Sequence, residues 1–144
     1  MLKQVLLVAL AVLVLSACST AEPSKPATEV TVEMTDFAYN PSAITVAAGQ
    51  PVNFTVKNTG NIEHDFVVEK IDAKTDLLQD SGSEAHHAHG QEQNYDLHVS
   101  AGVGQTSVFQ LTVLEPGTYK VFCSVEGHEE AGMVGELIVL DQAQ

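Results

Sequence analysis

The chain has 144 residues, the length of a single domain, and a formal net charge of −13. All six basic residues are lysines, so the chain has none of the guanidinium groups that commonly bind phosphate. Its acidic charge would also repel nucleic acid, which argues against a nucleic-acid-binding protein. The same charge would steer a basic protein partner, although solubility alone would also explain it.

The N-terminal segment is typical of an exported bacterial lipoprotein. Lys3 precedes an uninterrupted apolar run at residues 5–15, which is shorter than the roughly 20 residues of a transmembrane helix. The sequence Leu-Ser-Ala-Cys then ends at Cys18 and resembles the lipobox, whose cysteine is lipidated after cleavage. We therefore predict a signal peptide at residues 1–17, with a lipidated Cys18 and a tether at residues 18–28. The alternative is an ordinary signal peptide with an incidental cysteine.

The two cysteines exclude a disulfide scaffold if the first carries lipid. Cys123 then has no disulfide partner, although the compartment outside the cytoplasm is oxidising. A bound metal would protect such a solitary thiol from oxidation. We predict an extracytoplasmic, monomeric protein that is lipid-anchored to the cell membrane or the outer membrane.

Short alternating apolar runs separated by Gly, Pro and Asn turns follow the tether. Val52, Phe54 and Val56 show the clearest period of two. The pattern predicts an all-β sandwich or barrel over residues 29–140, with a tail at residues 141–144. The alternation also predicts that the five phenylalanines are mostly core residues: Phe37, Phe54, Phe66, Phe109 and Phe122.

Residues 72–95 break this rhythm with a polar, His-rich excursion, in which we expect a helical turn at residues 74–79. His86, His87 and His89 lie within it and could form a weak secondary site for Cu(II), Ni(II) or Zn(II). The alternative is a solvated segment that responds to pH.

A second chemical cluster lies near the C-terminus. Cys123, His128 and Met133 are separated by four residues each and are bracketed by two apolar strands. Thiolate and thioether ligands select copper, zinc or iron–sulfur clusters, and two His, one Cys and a weak axial Met form the blue-copper arrangement. His64 follows a turn at the mouth of a strand and is the candidate for the second imidazole. Alone, it would be a surface histidine.

These residues resemble those of the cupredoxin family, the type 1 blue-copper proteins that include plastocyanin, azurin and auracyanin. The ligand loop departs from both plastocyanin-like and azurin-like spacing, and Glu126 replaces a proline that many family loops carry. The copper subtype therefore stays open. The resemblance rests on residues 47–52, 61–66, 116–119, 123–128 and 133–135.

The resemblance implies a Greek-key fold that holds one type 1 copper with His64, Cys123, His128 and a weak Met133. It also implies that Asp65 and Ser124, which follow two of these ligands, hydrogen-bond each other and pin the ligand segments together. Redox partners would dock on an apolar patch near His128.

The leading interpretation is an electron carrier that cycles between Cu(I) and Cu(II) and is not an enzyme. The alternative is an extracytoplasmic copper-binding or copper-delivery protein that uses the same site and the His-rich excursion. The chain is too short for a multicopper enzyme, and residues 125–127 hold no second cysteine for a binuclear copper centre.

Overall fold

The computed structural model describes residues 25–82 and 95–142. Ten β-strands lie within these ranges. In chain order they are β1 (Glu29–Thr35), β2 (Ala38–Asn40), β3 (Ala43–Ala47), β4 (Val52–Asn58), β5 (His64–Val68), β6 (Ala73–Gln79), β7 (Leu97–Ala101), β8 (Thr106–Val113), β9 (Gly117–Phe122) and β10 (Val134–Leu140).

The strands form two five-stranded sheets, in the orders β2-β1-β4-β8-β6 and β3-β10-β9-β5-β7. The chain crosses repeatedly between the sheets, so sequence neighbours such as β4 and β5 lie in opposite layers. β1 pairs in parallel with β4, and β3 in parallel with β10. The prediction of an all-β sandwich is confirmed.

The core lies between the sheets and is built from the alternating side chains of both. In β8 every second residue is buried, which is the pattern expected when one face of a strand meets the opposite sheet. The rings of Phe54 and Phe109 stack with centroids 5.0 Å apart, and Phe66 lies 6.0 Å from each. Phe122 is also buried, whereas Phe37 is 45% exposed, so its prediction as a core residue is wrong.

Strand β6 corrects a second expectation. Residues 74–79 belong to a strand that pairs with β8 at the edge of its sheet, and the predicted helical turn is wrong. All residues of β6 after Ala73 are exposed on both faces, so backbone hydrogen bonds to β8 hold the strand and apolar alternation does not mark it.

One end of the sandwich gathers the segments that carry the predicted ligands. β5 and β9 are antiparallel and pair at Val67 and Phe122, which places the start of β5 beside the loop that leaves β9. β1 and β4 are parallel, so the β1–β2 turn lies beside the loop from β4 to β5. Within residues 25–82 and 95–142, no helix is long and apolar enough to cross a membrane.

Candidate metal centre

Three potential ligand side chains meet at this end of the sandwich. His64 is the first residue of β5, Cys123 directly follows β9, and His128 lies in the β9–β10 loop. One ligand atom from each lies within 4.8 Å of the other two. All three side chains are buried, with exposures of 0%, 1% and 5%. Nitrogen and sulfur donors are thus concentrated in one buried cluster.

Backbone hydrogen bonds shape the loop between Cys123 and Met133. The Met133 N–H donates to the His128 carbonyl at 2.9 Å, and the Cys123 N–H donates to the Met133 carbonyl at 3.3 Å. Gly127 and Gly132 have φ angles of +82° and +101°, which glycine adopts without the cost of a Cβ. The loop therefore closes on itself and buries the Met133 side chain completely.

In both imidazoles, Nδ1 is the candidate metal ligand. His128 Nδ1 lies 3.3 Å from Cys123 Sγ, and the rings of His64 and His128 are 5.1 Å apart at an angle of 50°. His64 Nδ1 is buried and has no hydrogen-bond partner within the described part of the chain. A buried polar atom without a partner costs about 1–3 kcal/mol, and a metal ion bound to Nδ1 would remove that cost.

Burial sets the protonation of the ligands before metal binds. It raises the pKa of the Cys123 thiol to about 11, against the opposing effect of backbone N–H groups from Asp65 and Val125. It also lowers the pKa of His128, and the nearby His64 adds to that effect. Near neutral pH the pocket therefore holds a thiol, and metal binding must displace its proton, since the thiolate is the ligand.

A buried carboxylate joins the two ligand segments. Burial alone would raise the pKa of Asp65, but hydrogen bonds from His98, Ser100 and Ser124 outweigh it and lower that pKa to about 2. Ser100 Oγ donates to Oδ1 at 2.6 Å, and Ser124 Oγ donates to Oδ2 at 2.5 Å. The hydrogen bond that the resemblance implied between Ser124 and Asp65 is present.

Asp65 also contacts the ligand cysteine through its backbone. Its N–H donates to Cys123 Sγ at 3.3 Å, and its carbonyl accepts a 2.6 Å hydrogen bond from the buried Tyr39 hydroxyl. A thiolate at this position would be stabilised by the N–H dipole. The start of β5 is thus held to Cys123 by the backbone N–H of Asp65 and to the next residue, Ser124, by the Asp65 side chain.

Comparison with known proteins identifies the family. The sequence model of the cupredoxin-like domain matches residues 6–102, which include His64 and end before the ligand loop. The chain belongs to the cupredoxin-like family.

Relatives of this cupredoxin include two kinds of copper protein. The copper-resistant cuproprotein CopI of Rubrivivax gelatinosus is 34% identical over 129 residues, which cover 82% of this chain and 70% of the relative. Plastocyanin A/B of Petroselinum crispum is 30% identical over 103 residues, covering 72% of this chain and 88% of the relative.

Solved auracyanins share the fold of this cupredoxin. The reduced auracyanin of Roseiflexus castenholzii covers 81% of this chain and 99% of its own, with a TM-score of 0.61 and 23% identity. Auracyanin A of Chloroflexus aurantiacus, described as a "blue" copper protein, covers 78% and 99%, with a TM-score of 0.53 and 24% identity.

The donor set of this cupredoxin is suited to one copper ion. Soft thiolate and borderline imidazole ligands in a trigonal set are a copper combination, and His64, Cys123 and His128 offer them from a cluster that is already assembled. The expected copper cofactor is therefore confirmed by the family and by the chemistry of the cluster.

The structure also reveals supporting residues that the sequence did not single out. Asp36 Oδ1 lies 3.3 Å from His64 Nε2, and His98 Nε2 lies 3.5 Å from Asp65 Oδ2. Asn58 is fully buried and bonds to three backbone groups of the segments around His64. The turn-forming sequence at residues 58–61 marks the loop, but no sequence pattern connects Asp36 or His98 to the site.

Four predicted residues lie outside the described part of the chain. They are the lipid-attachment residue Cys18 and the histidines His86, His87 and His89 of the excursion. The roles assigned to these four residues remain predictions.

Proposed function

We propose that this cupredoxin is an extracytoplasmic electron carrier with one type 1 copper, and that it is not an enzyme. The observation that carries the proposal is that three buried residues place potential ligand atoms within 4.8 Å of one another. Bound copper would supply a one-electron Cu(II)/Cu(I) couple. A site whose ligand geometry is the same in both oxidation states needs little reorganisation during electron transfer. The folded protein would hold the ligands in that one geometry.

The rigidity of the pocket comes from its attachments. His64 begins β5 and Cys123 directly follows β9, the adjacent strand of the same sheet. Asp65 ties the two segments, because it accepts a hydrogen bond from Ser124 and its backbone N–H donates to Cys123 Sγ. Met133 is held by backbone bonds to two of the ligand residues and is fully buried. We assign it as the weak axial ligand, since a thioether in that position is the fourth contact of a blue-copper site.

Electrons would enter and leave at His128. Its ring packs edge-to-face against Phe37 at 5.2 Å, and Phe37 is 45% exposed. Val134, which follows Met133, is 41% exposed. An exposed apolar side chain thus covers the less buried of the two imidazoles, and a second one follows Met133 in the chain. Redox proteins would dock there, and the net charge of −13 would favour basic partners.

The proposed location follows from the N-terminal sequence. The apolar run at residues 5–15 and the lipobox-like sequence ending at Cys18 favour export and lipid anchoring. The tether to residue 28 would then hold a monomeric domain close to the membrane surface. In that oxidising compartment bound copper would keep the thiol of Cys123 from oxidation.

Copper binding for delivery or resistance is a second candidate. The relative from Rubrivivax gelatinosus is named a copper-resistant cuproprotein, and His86, His87 and His89 offer imidazoles for a secondary site. In this role copper would have to leave the protein for an acceptor, whereas a carrier keeps its copper through many redox cycles.

The type 1 site is tested by titrating the purified soluble domain, residues 25–144, with Cu(II) and recording the visible spectrum. We expect an intense thiolate-to-copper band at one equivalent that disappears in Cys123→Ser. A colourless, weakly bound copper would refute the proposal. Ser42→Ala, at an exposed position, serves as the matched control and should leave the band unchanged.

Carrier and delivery functions are separated by two measurements on the same protein. A carrier gives reversible one-electron voltammetry and transfers little copper to an apo acceptor protein. Deletion of residues 83–91 should leave the voltammogram nearly unchanged. Rapid copper transfer that depends on those residues would instead establish delivery.

A further inference from the structure

The two-residue turn between β1 and β2 contacts both imidazoles of the metal centre. Thr35 and Ala38 are paired across the hairpin, so Asp36 and Phe37 alone form the turn. Asp36 Oδ1 lies 3.3 Å from His64 Nε2, and the Phe37 ring packs against His128 with centroids 5.2 Å apart.

The turn adopts a conformation that a phenylalanine rarely takes. Phe37 has a φ angle of +66° and is the one non-glycine residue with positive φ among those described. For a bulky residue this backbone conformation is strained. Strain of this kind persists where the surrounding structure enforces it, and here it directs two adjacent side chains to two different ligands.

The carboxylate of Asp36 is held in place from the other side. The Asn61 backbone N–H donates to Oδ1 at 2.8 Å, and Asn61 Nδ2 donates to Oδ2 at 2.6 Å. These hydrogen bonds lower the pKa of Asp36, the side-chain bond most, so the group is ionised at neutral pH. Asp36 therefore presents a fixed negative oxygen to His64.

Gly60 leaves the room for this contact. A Cβ at that position would lie 2.5 Å from Asp36 Oδ1 and 2.7 Å from His64 Nε2, closer than real Cβ atoms approach. Gly60 does not have a positive φ. Glycine is therefore required here by the lack of space for a Cβ beside Asp36 Oδ1 and His64 Nε2, and not by the backbone conformation. The approach of Asp36 to His64 is thus supported by a second residue, on a different loop.

We propose that Asp36 is a positioning residue for His64: its carboxylate accepts the Nε2–H, directs the Nδ1 lone pair into the pocket and favours Cu(II) over Cu(I). A carboxylate can only accept, so the proton resides on Nε2 and Nδ1 is left as a donor. This explains why Nδ1 is buried without a hydrogen-bond partner in the described residues. The preference for Cu(II) over Cu(I) rests on the proposed function, whereas the tautomer of His64 does not.

The electrostatic consequence has a definite sign. A negative group that accepts a hydrogen bond from a ligand imidazole makes the ring more basic, and such outer partners change metal affinity by about 10–100-fold. The added electron density stabilises the more highly charged ion. Removal of the charge at Asp36 should therefore weaken Cu(II) more than Cu(I), and the reduction potential should rise.

The first test uses the apo protein and involves no metal. In the ¹⁵N spectrum of apo wild type, recorded where the ring is neutral, we expect His64 to be the Nε2–H tautomer. In Asp36→Ala we expect a mixture of tautomers. A wild-type ring protonated on Nδ1, or an unchanged tautomer in Asp36→Ala, would overturn the proposal.

The second test measures the ratio of Cu(II) to Cu(I) affinity. Asp36→Asn should lower this ratio about tenfold, equivalent to a rise of ~59 mV for one electron. Glu130→Gln removes one charge from an exposed position of the ligand loop and is the matched control. We expect it to change the ratio by less than about twofold, because among the described residues Glu130 has no contact with a ligand imidazole, whereas Asp36 lies 3.3 Å from His64 Nε2.

Equal shifts in Asp36→Asn and Glu130→Gln would overturn the proposal, since they would reveal only a general charge effect. Gly60→Ala provides an independent approach, because the added Cβ must separate Asp36 from His64. It should reproduce the tautomer mixture of Asp36→Ala, and retention of the pure Nε2–H form would contradict the role of the contact. If the blue-copper spectrum were absent, the tautomer result would still decide the positioning.

Discussion

Ser124 Oγ donates a 2.5 Å hydrogen bond to Asp65 Oδ2. The two residues are 59 positions apart in sequence, and each directly follows a metal-ligand candidate, Cys123 and His64. One side-chain contact therefore fixes the relative position of the two segments that contribute sulfur and nitrogen to the copper site.

Replacement of Ser124 by alanine should destabilise the apo protein by about 1.5 kcal/mol, because a hydrogen bond to a charged group contributes about 1.5–3 kcal/mol and Asp65 retains its other donors. Urea unfolding measures the change. Ser42→Ala removes an exposed hydroxyl and should cost less than about 0.5 kcal/mol. Equal losses in the two variants would refute a structural role for the Ser124 bond.

The ion pair between His98 and Asp65 should make apo stability depend on pH. The hydrogen bond to Asp65 raises the pKa of His98 against the opposing effect of burial, and the charges of Asp65, Asp80 and Glu63 add to the rise. A raised pKa in the folded state stabilises the protein fully below the unfolded value of about 6.5. That contribution is lost as pH rises through the higher folded pKa.

The His98 prediction is measured as the difference in unfolding free energy between wild type and His98→Gln. The stabilisation of wild type over the variant should be largest near pH 5.5 and should decline above pH 6.5, in the direction set by the raised pKa. A difference that grows with rising pH would contradict the assignment of a protonated His98 beside Asp65.

Asn58 should be among the most sensitive polar positions of the fold. Its Nδ2 donates to the carbonyls of Ile62 and Ala101 at 2.7 and 2.8 Å, and its Oδ1 accepts from the Gly60 N–H at 2.8 Å. Asn58→Ala leaves these groups without their partner in a fully buried site. We expect a loss of about 3 kcal/mol by chemical unfolding.

Asn53, on the same strand, is the matched control for Asn58. It bonds to the side chains of Glu29 and Gln110 at the surface rather than to buried backbone. Asn53→Ala should therefore cost less than about 1 kcal/mol, and a cost as large as that of Asn58→Ala would show that burial does not set the difference.

Copper removal should lower the stability of the domain. A ligand that binds only the folded state adds about 2.7 kcal/mol when its free concentration is 100 times Kd. Thermal unfolding with copper(I) held by a weak competing ligand should show this gain in wild type and most of it lost in Cys123→Ser. An undiminished gain in Cys123→Ser would place the metal elsewhere.

The strand pattern of the fold was predictable where one face of a strand is buried and the other is not. Val52, Phe54 and Val56 alternate with polar residues and are buried as expected. The two wrong predictions, the helical turn at residues 74–79 and the core position of Phe37, concern segments without this one-sided burial. After Ala73, β6 is exposed on both faces and is held mainly by backbone pairing with β8. Phe37 lies in a turn, where period two carries no information about burial.

The sequence by itself determined which donor atoms are available for copper. The spacing of Cys123, His128 and Met133 within one loop is a local property, so it can be read without the fold. His64 is indicated by its place after a turn at the start of a strand and by the resemblance of residues 61–66 to the first-ligand segment of the family. Whether these atoms meet depends on the pairing of β5 with β9, which brings together residues 59 positions apart.

The tertiary structure alone decided what surrounds the ligands. Asp36 and His98 carry no pattern that connects them to copper, because acidic and histidine side chains at turns and strands are common on any surface. Their contacts to His64 and Asp65 arise from the parallel pairing of β1 with β4 and the antiparallel pairing of β5 with β7. Ligand identity is thus a local property of the chain, whereas the hydrogen bonds that position the ligands depend on strand order.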